Sequence, residues 1–260
     1  MTMSSAVPRH WQFLNTGENT GAFNMEFDMD LAERLMDGTI PPTLRLYGWK
    51  PWSVSLGYNQ TEKDIDLARC TERGFDVVRR PTGGRAILHS NELTYSVVMP
   101  ADGRGITEIY SLISKALVAG LATIASDVSY ETSQPNFQSL YKKQESIPCF
   151  SASARYEVQV NGKKLVGSAQ RRFSRQGGPE VVLQHGSILL GPEHRMLSEI
   201  LAVNDPDVRT KILSDIETKT IDLSAAAGRP VTFKEAANAV RHGFEEMMNI
   251  QFETNIGASV

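Results

Sequence analysis

The sequence predicts an α+β protein, a single catalytic-sized domain over residues 1–260 built on mixed or antiparallel β-sheets flanked by helices. Three observations carry that reading. Strand-like runs concentrate in the first two thirds of the chain, helical periodicities are interspersed and then group at the C-terminus, and Asn161-Gly162 stands between two apolar runs. That dipeptide is a hairpin signal because both residues tolerate positive φ. A regular strand and helix alternation, which would mark a parallel sheet, is not the pattern.

Residues 11–15 read as a first strand. Over 24–37, Met25, Met29, Ala32 and Met36, with Phe27, Leu31 and Leu35, recur at spacings of three and four, which gives a helix with a broad apolar face. Its methionines read as core filling, and Gly38 follows where a glycine cap is expected. Strands at 43–49 and 53–58 join around Pro51, and a helix at 62–73 ends at Gly74. Apolar runs flank residues 81–85, and Ile106, Ile109, Ile113, Leu117, Leu121 and Ile124 mark an amphipathic helix over 105–124. The polar stretch 126–147 reads as a loop. Strands follow at 156–160, 164–173 and 180–190, and helices from about 192, where Thr232 and Glu235 form a capping box for a helix to Met248.

A net charge of -3 excludes a general nucleic-acid binder, which shows a basic excess. No apolar run approaches the roughly 20 residues a membrane span needs, and the first ten residues lack a signal-peptide core. The expected location is the cytoplasm, without membrane association. Cys70 and Cys149 are far apart and belong to no CxxC or Cys/His cluster, so reduced thiols and no metal site are expected.

Chemistry concentrates in three stretches. In the first, Arg79-Arg80-Pro81-Thr82-Gly83-Gly84-Arg85, the glycines permit close backbone approach and the arginines supply planar cationic forks. His89 closes that stretch. In the second, Cys149 lies ahead of a small-residue segment, where the local residues suit a buried structural thiol at least as well as a nucleophile. In the third, Lys164 opens a strand containing Gly167-Ser168-Ala169, where desolvation would lower a lysine pKa towards working pH. His185-Gly186 faces the same interpretation from the next strand, against the alternative of a hydrogen-bonded core histidine.

Taken together, Arg79-Arg80-x-x-Gly83-Gly84-Arg85-x-x-x-His89, Gly162-x-Lys164-Leu165-x-Gly167-Ser168-Ala169-Gln170 and His185-Gly186-Ser187-Ile188-Leu189 resemble the biotin and lipoate protein ligase superfamily, in its lipoate ligase and octanoyltransferase branch, over about residues 10–250. Arg85 stands where ATP-dependent ligases of that branch typically carry a third glycine. With Pro148-Cys149-Phe150 ahead of Tyr156-Glu157, the pattern is most similar to the cysteine-dependent octanoyltransferases. Residues 151–155 depart from that branch.

The resemblance implies an octanoyltransferase of lipoate biosynthesis. Octanoyl would pass from octanoyl-acyl carrier protein to Cys149 and then to a lysine of a lipoyl domain or of glycine cleavage H protein. Cys149 and Lys164 are the implied catalytic residues. Arg79, Gly83, Gly84, Arg85, His89, Gly167, Ser168, Ala169, His185 and Gly186 are the implied substrate-binding residues. No cofactor is implied. One alternative is an ATP-dependent lipoate or octanoate ligase, which would need ATP and Mg, and another is a non-catalytic binder of acyl chains or lipoyl domains.

Overall fold

The computed structural model describes residues 9–130 and 157–253. Its strands, numbered in chain order, are β1 His10–Asn19, β2 Thr43–Trp49, β3 Ser53–Leu56, β4 Asp76–Arg79, β5 Ile87–His89, β6 Glu92–Pro100, β7 Val128–Tyr130, β8 Val158–Val160, β9 Lys163–Lys164, β10 Val166–Phe173, β11 Val181–Leu189 and β12 Gln251–Phe252. The helices are α1 Gly21–Met36, α2 Leu67–Glu72, α3 Ile106–Leu121, α4 Pro206–Lys219, α5 Leu223–Ala227 and α6 Phe233–Met248.

A six-stranded mixed sheet in the order β10-β11-β6-β2-β1-β12 forms the centre, with three-stranded sheets β4-β3-β5 and β7-β8-β9 beside it. Side chains alternate between the faces of a strand, so the pairing register sorts them. On one face Leu44, Leu46, Leu93, Tyr95, Val97 and Met99 meet Ile109, Ile113 and Leu117 of α3 and Val240 and Phe244 of α6, forming the main core. On the opposite face Val98, Val181 and Leu183 pack on Leu31, Ala32 and Leu35 of α1. Further along that same face the residues turn polar. Arg45, Tyr47, Glu92, Thr94, Ser96, His185 and Ser187 are all buried there.

The small sheet β4-β3-β5 is sorted the same way. Val54, Leu56 and Leu88 pack outwards on Leu197, Leu201, Ile212 and Ile216, which leaves Ser55, Ile87 and His89 turned inwards to line a cavity with residues of the large sheet. The cavity thus lies between two sheets, each contributing the face that its apolar packing does not use.

The α+β expectation holds, with local differences. The 62–73 helix is a 3-10 turn, Glu62–Asp64, followed by α2, because Ile65 is extended and Asp66 caps a fresh helix by accepting from Arg69 N. Strand β7 falls inside the stretch expected to be loop, paired with β8. The 164–173 strand is divided between β9 and β10. Thr232 does cap α6 by accepting from Glu235 N at 3.2 Å, while the Glu235 carboxylate turns to Arg229 instead of returning to the cap.

Helices α3 and α6 approach so closely that glycine is required on both. A Cβ at Gly243 would stand 2.3 Å from Ala116 O, and one at Gly120 would stand 2.2 Å from Ala239 O. Gly243→Ala should therefore lower the urea unfolding midpoint, although the substitution favours an isolated helix by about 1 kcal/mol. An unchanged or raised midpoint would show that the helix pair yields without loss.

Candidate active site

A cavity of about 420 Å³ opens between the sheets, lined by Met25 of α1, Tyr47 and Trp49 of β2, Ser55 of β3, Arg80, Gly84, Ile87 and His89 around the glycine loop, Thr94 of β6, Gly167–Ala169 of β10 and His185–Ser187 of β11. Seven of the residues expected from the sequence meet here: Gly84, His89, Gly167, Ser168, Ala169, His185 and Gly186. Gly83 and Arg85 belong to the loop but not to the lining. Arg79 lines an adjoining open groove of about 910 Å³, which shares Met25 and Arg80 with the cavity. Met25, expected to be core filling, is thus a wall residue of both.

The arginines make hydrogen bonds to the main chain around the loop. Arg80 is buried and donates to Gly83 O, Arg85 O, Ser55 O and Ser55 Oγ. Arg79 donates to the carbonyls of Gly57, Tyr58 and Gln60, and Arg171 to that of Pro81. These guanidinium forks go largely to main-chain carbonyls, and they fix the loop in place. Gly84 has φ +99°, a value that favours glycine. Gly57 must also be glycine, since a Cβ there would lie 2.0 Å from Gly84 O.

Two buried polar clusters back the cavity. In the first, Asp28 of α1 receives Arg45 Nη1 at 2.8 Å, the Tyr47 hydroxyl at 3.0 Å and His185 Nδ1 at 3.1 Å. Burial pushes the Asp28 carboxyl up, but the His185 hydrogen bond and the Arg45 charge outweigh it and hold the group below its usual range. Burial lowers the His185 pKa in spite of the carboxylate, so the ring is neutral at pH 7. With Nδ1–H given to Asp28, Nε2 accepts from the Thr82 hydroxyl at 2.7 Å. The relay joins α1, β2, β11 and the glycine loop.

In the second cluster, Glu92 Oε1 accepts from His89 Nδ1 at 2.8 Å, Ser187 Oγ at 2.9 Å and Thr94 Oγ1 at 2.6 Å. Trp49 Nε1 donates to Thr94 Oγ1 at 2.7 Å, and its ring stacks on His89 with centroids 3.9 Å apart. His89 Nε2 then accepts from Ser55 Oγ at 2.7 Å. Sequence reasoning missed Asp28, Arg45, Tyr47, Ser55, Thr82 and Glu92. The available signal was the alternation Glu92, Thr94, Ser96 and Thr43, Arg45, Tyr47, which ordinarily marks a solvent-facing side.

Lys164 does not line the cavity. It is buried, pairs with Glu157 at 2.6 Å and is tied by its carbonyl to Ile221 N at 3.0 Å. Cys149 lies outside the described residues. Among the described residues no group of three or more His, Cys, Asp or Glu is arranged to hold a metal ion.

A stapled glycine loop thus closes a cavity over the polar face of a mixed sheet. The chain belongs to the lipoyl protein ligase A/B catalytic domain family, which matches residues 20–245. It is 40% identical over 248 residues to octanoyltransferase LipM of Kyrpidia tusciae, covering 94% of this chain and 89% of the relative. It is 38% identical over 249 residues to octanoyltransferase LipM of Geobacillus kaustophilus, covering 94% and 88%. A bipartite lipoate protein ligase from Thermoplasma acidophilum shares the fold, with a TM-score of 0.73 at 24% identity over 97% of this chain and 89% of that one.

The buried histidine makes stability depend on pH. Its folded pKa lies below the unfolded value of about 6.5, so below that value the unfolded chain binds a proton that the folded chain refuses. The urea midpoint should fall from pH 7 to pH 5, and the fall should be smaller in His185→Gln. Equal falls in the two proteins would remove His185 from the account.

Proposed function

We propose that this protein is an octanoyltransferase of lipoate biosynthesis that moves octanoyl from octanoyl-acyl carrier protein through a Cys149 thioester to a lysine of a lipoyl domain or glycine cleavage H protein. The observation that carries the reading is the identity of 34–40% with octanoyltransferases, extending over more than nine tenths of the chain. The apolar walls of the cavity, Met25, Trp49 and Ile87 among them, support the reading.

The chain has two cysteines, and the surroundings of Cys70 argue against it as the nucleophile. Cys70 is 1% exposed, and burial, then the charge of Asp66, pushes its pKa up to about 11. It is a protonated, inaccessible thiol at pH 7 and a poor nucleophile. Cys149 is the remaining candidate. Exchange of one thioester for another costs little free energy and needs no ATP, and amide formation on the carrier lysine drives the second step. Division into two displacements is covalent catalysis.

Lys164 has a changed role in this reading. Desolvation alone favours a neutral amine, but a carboxylate 2.6 Å away favours the ammonium. As an ammonium it stabilises the negative charge that develops on sulfur and oxygen, and in the second displacement it gives a proton to the departing Cys149 thiolate and takes one from the attacking carrier amine. Glu157 keeps the pair neutral overall.

Incubation with octanoyl-acyl carrier protein and no ATP should add one octanoyl group to the enzyme by intact mass. Cys149→Ala should abolish both this adduct and carrier modification. Product formed only from free octanoate plus Mg-ATP would instead establish the ligase. A second measurement isolates the thiol. At pH 7.5 iodoacetamide should modify one cysteine in the native protein and two after denaturation, with the native site protected by the octanoyl donor. Two native sites would contradict the assignment of Cys70.

A further inference from the structure

A chain of hydrogen bonds on the helix-covered side of the large sheet ends at a cavity residue. The register sets Ser168, Gly186 and Tyr95 side by side on β10, β11 and β6. Because Gly186 has no side chain, the Tyr95 ring reaches across it, and its hydroxyl lies 2.7 Å from Ser168 Oγ. A Cβ at position 186 would stand 2.8 Å from both Ser168 Oγ and Tyr95 Cε1. Gly167 O would lie nearer still, at 2.5 Å, so the glycine of the His185-Gly186 pair is required by the adjacent main chain as well as by this side-chain contact.

The amide orientations of Gln170 and Gln184 set the proton order in this chain. Gln170 Nε2 donates to Gln184 Oε1 at 3.0 Å, which turns Gln184 Nε2 towards the Tyr95 hydroxyl at 3.1 Å. An amide nitrogen only donates, so Tyr95 accepts from Gln184 and directs its own proton to Ser168 Oγ. Burial pushes the Tyr95 pKa up to about 12, and the phenol remains a neutral donor. Ser168 Oγ is thus an acceptor within the chain, and its own proton goes to no acceptor among the described hydrogen bonds. Tyr110 fixes the same residue from the main chain, donating to Ser168 O at 3.0 Å. Ser168 is half-buried and lines the cavity. The neighbouring Glu157, partner of Lys164, acts electrostatically on Tyr95.

We propose that the Ser168 hydroxyl is a catalytic residue that donates a hydrogen bond to the acyl carbonyl oxygen, and that Tyr95, Gln184 and Gly186 are its positioning residues. The proposal rests on the transferase reading above. In the first displacement the enzyme thiolate forms a carbon–sulfur bond to the octanoyl carbonyl carbon, and the C=O π pair moves onto oxygen. Ser168 O–H donates to that oxygen and keeps its proton. Collapse restores the C=O bond and breaks the bond to the donor sulfur, which leaves as a thiolate and takes up the proton released by the enzyme thiol. Successive hydrogen bonds polarise one another in a low-dielectric interior, so the relay strengthens the donor and fixes its direction before substrate arrives.

The test is the single-turnover rate of octanoyl transfer from octanoyl-acyl carrier protein to the enzyme, followed by intact mass for wild type, Ser168→Ala, Ser168→Thr, Tyr95→Phe and the Ser168→Ala/Tyr95→Phe pair. Ser168→Ala should slow acylation roughly 100-fold at saturating donor, with little change in the half-saturating concentration. Ser168→Thr should recover most of the rate. Tyr95→Phe should slow the step by a smaller factor, and the double variant should be no slower than Ser168→Ala, because the relay acts only through that hydroxyl. Wild-type acylation in Ser168→Ala, a loss confined to the half-saturating concentration, or additive losses in the double variant would overturn the proposal. A wild-type enzyme that acquires no octanoyl adduct would instead overturn the transferase reading. Ser168→Thr and Tyr95→Phe each preserve most of the packing, so these comparisons stand if the alanine variant folds poorly.

Discussion

The Asp28 carboxylate is the interaction on which the site depends. It lies on the same stripe of α1 as Leu31 and Leu35, but nearer the N-terminus, where it meets the polar instead of the apolar end of the sheet face. Arg45, Tyr47 and His185 all converge on it. A buried carboxylate left without partners costs far more than a satisfied one gains, so the four groups define one another's positions. Helix α1, strands β2 and β11, and through Thr82 the glycine loop, are placed by a single charge.

A second constraint follows from the direction in which the arginines point. The loop 79–85 is irregular backbone beside a cavity, and its carbonyl groups require donors if they are not to be left unsatisfied. Arg80 satisfies Gly83 O and Arg85 O from one side chain while tying the loop to Ser55 of β3, and Arg79 and Arg171 brace the flanks. These cations form the frame of the loop. A pre-built loop spares binding the cost of ordering it, and Gly57 and Gly84 permit the close approach that lets the frame be this tight.

These two features also explain which parts of the molecule were legible in the sequence. Apolar periodicity located α1 and α3, a capping box located α6, apolar runs located the central strands, and the motifs singled out seven of the cavity residues. The buried polar face was not legible, because Glu92-x-Thr94-x-Ser96 has the same period-2 pattern as a solvated strand. Only the packing of α1 and the small sheet over that face distinguishes the two cases. Ser55 escaped for the same reason, alternating with Val54 and Leu56 on a strand whose apolar side was the obvious one. Arg79 and Arg80 were noticed as residue types, but their acceptors are carbonyl oxygens, which carry no sequence signature.

Strand β10 divides the site into two functions. Its odd-numbered residues, Gly167 and Ala169, share the face of His185, Ser187 and Thr94, where the polar clusters shape the cavity. Its even-numbered residue Ser168 shares the face of Gly186 and Tyr95, near the Lys164–Glu157 pair. The two hydrogen-bonded arrangements therefore lie on opposite sides of one strand, joined where that strand meets the cavity. A one-residue register slip would exchange the two sides, placing Ser168 among the shape-determining residues and glycine at the head of the hydrogen-bond chain. The long β6–β11 pairing, which runs from Glu92↔Leu189 to Pro100↔Val181 without a bulge, and the continuous β10–β11 register beside it prevent such a slip. The continuous register thus also determines which residues of β10 lie on each face of the sheet.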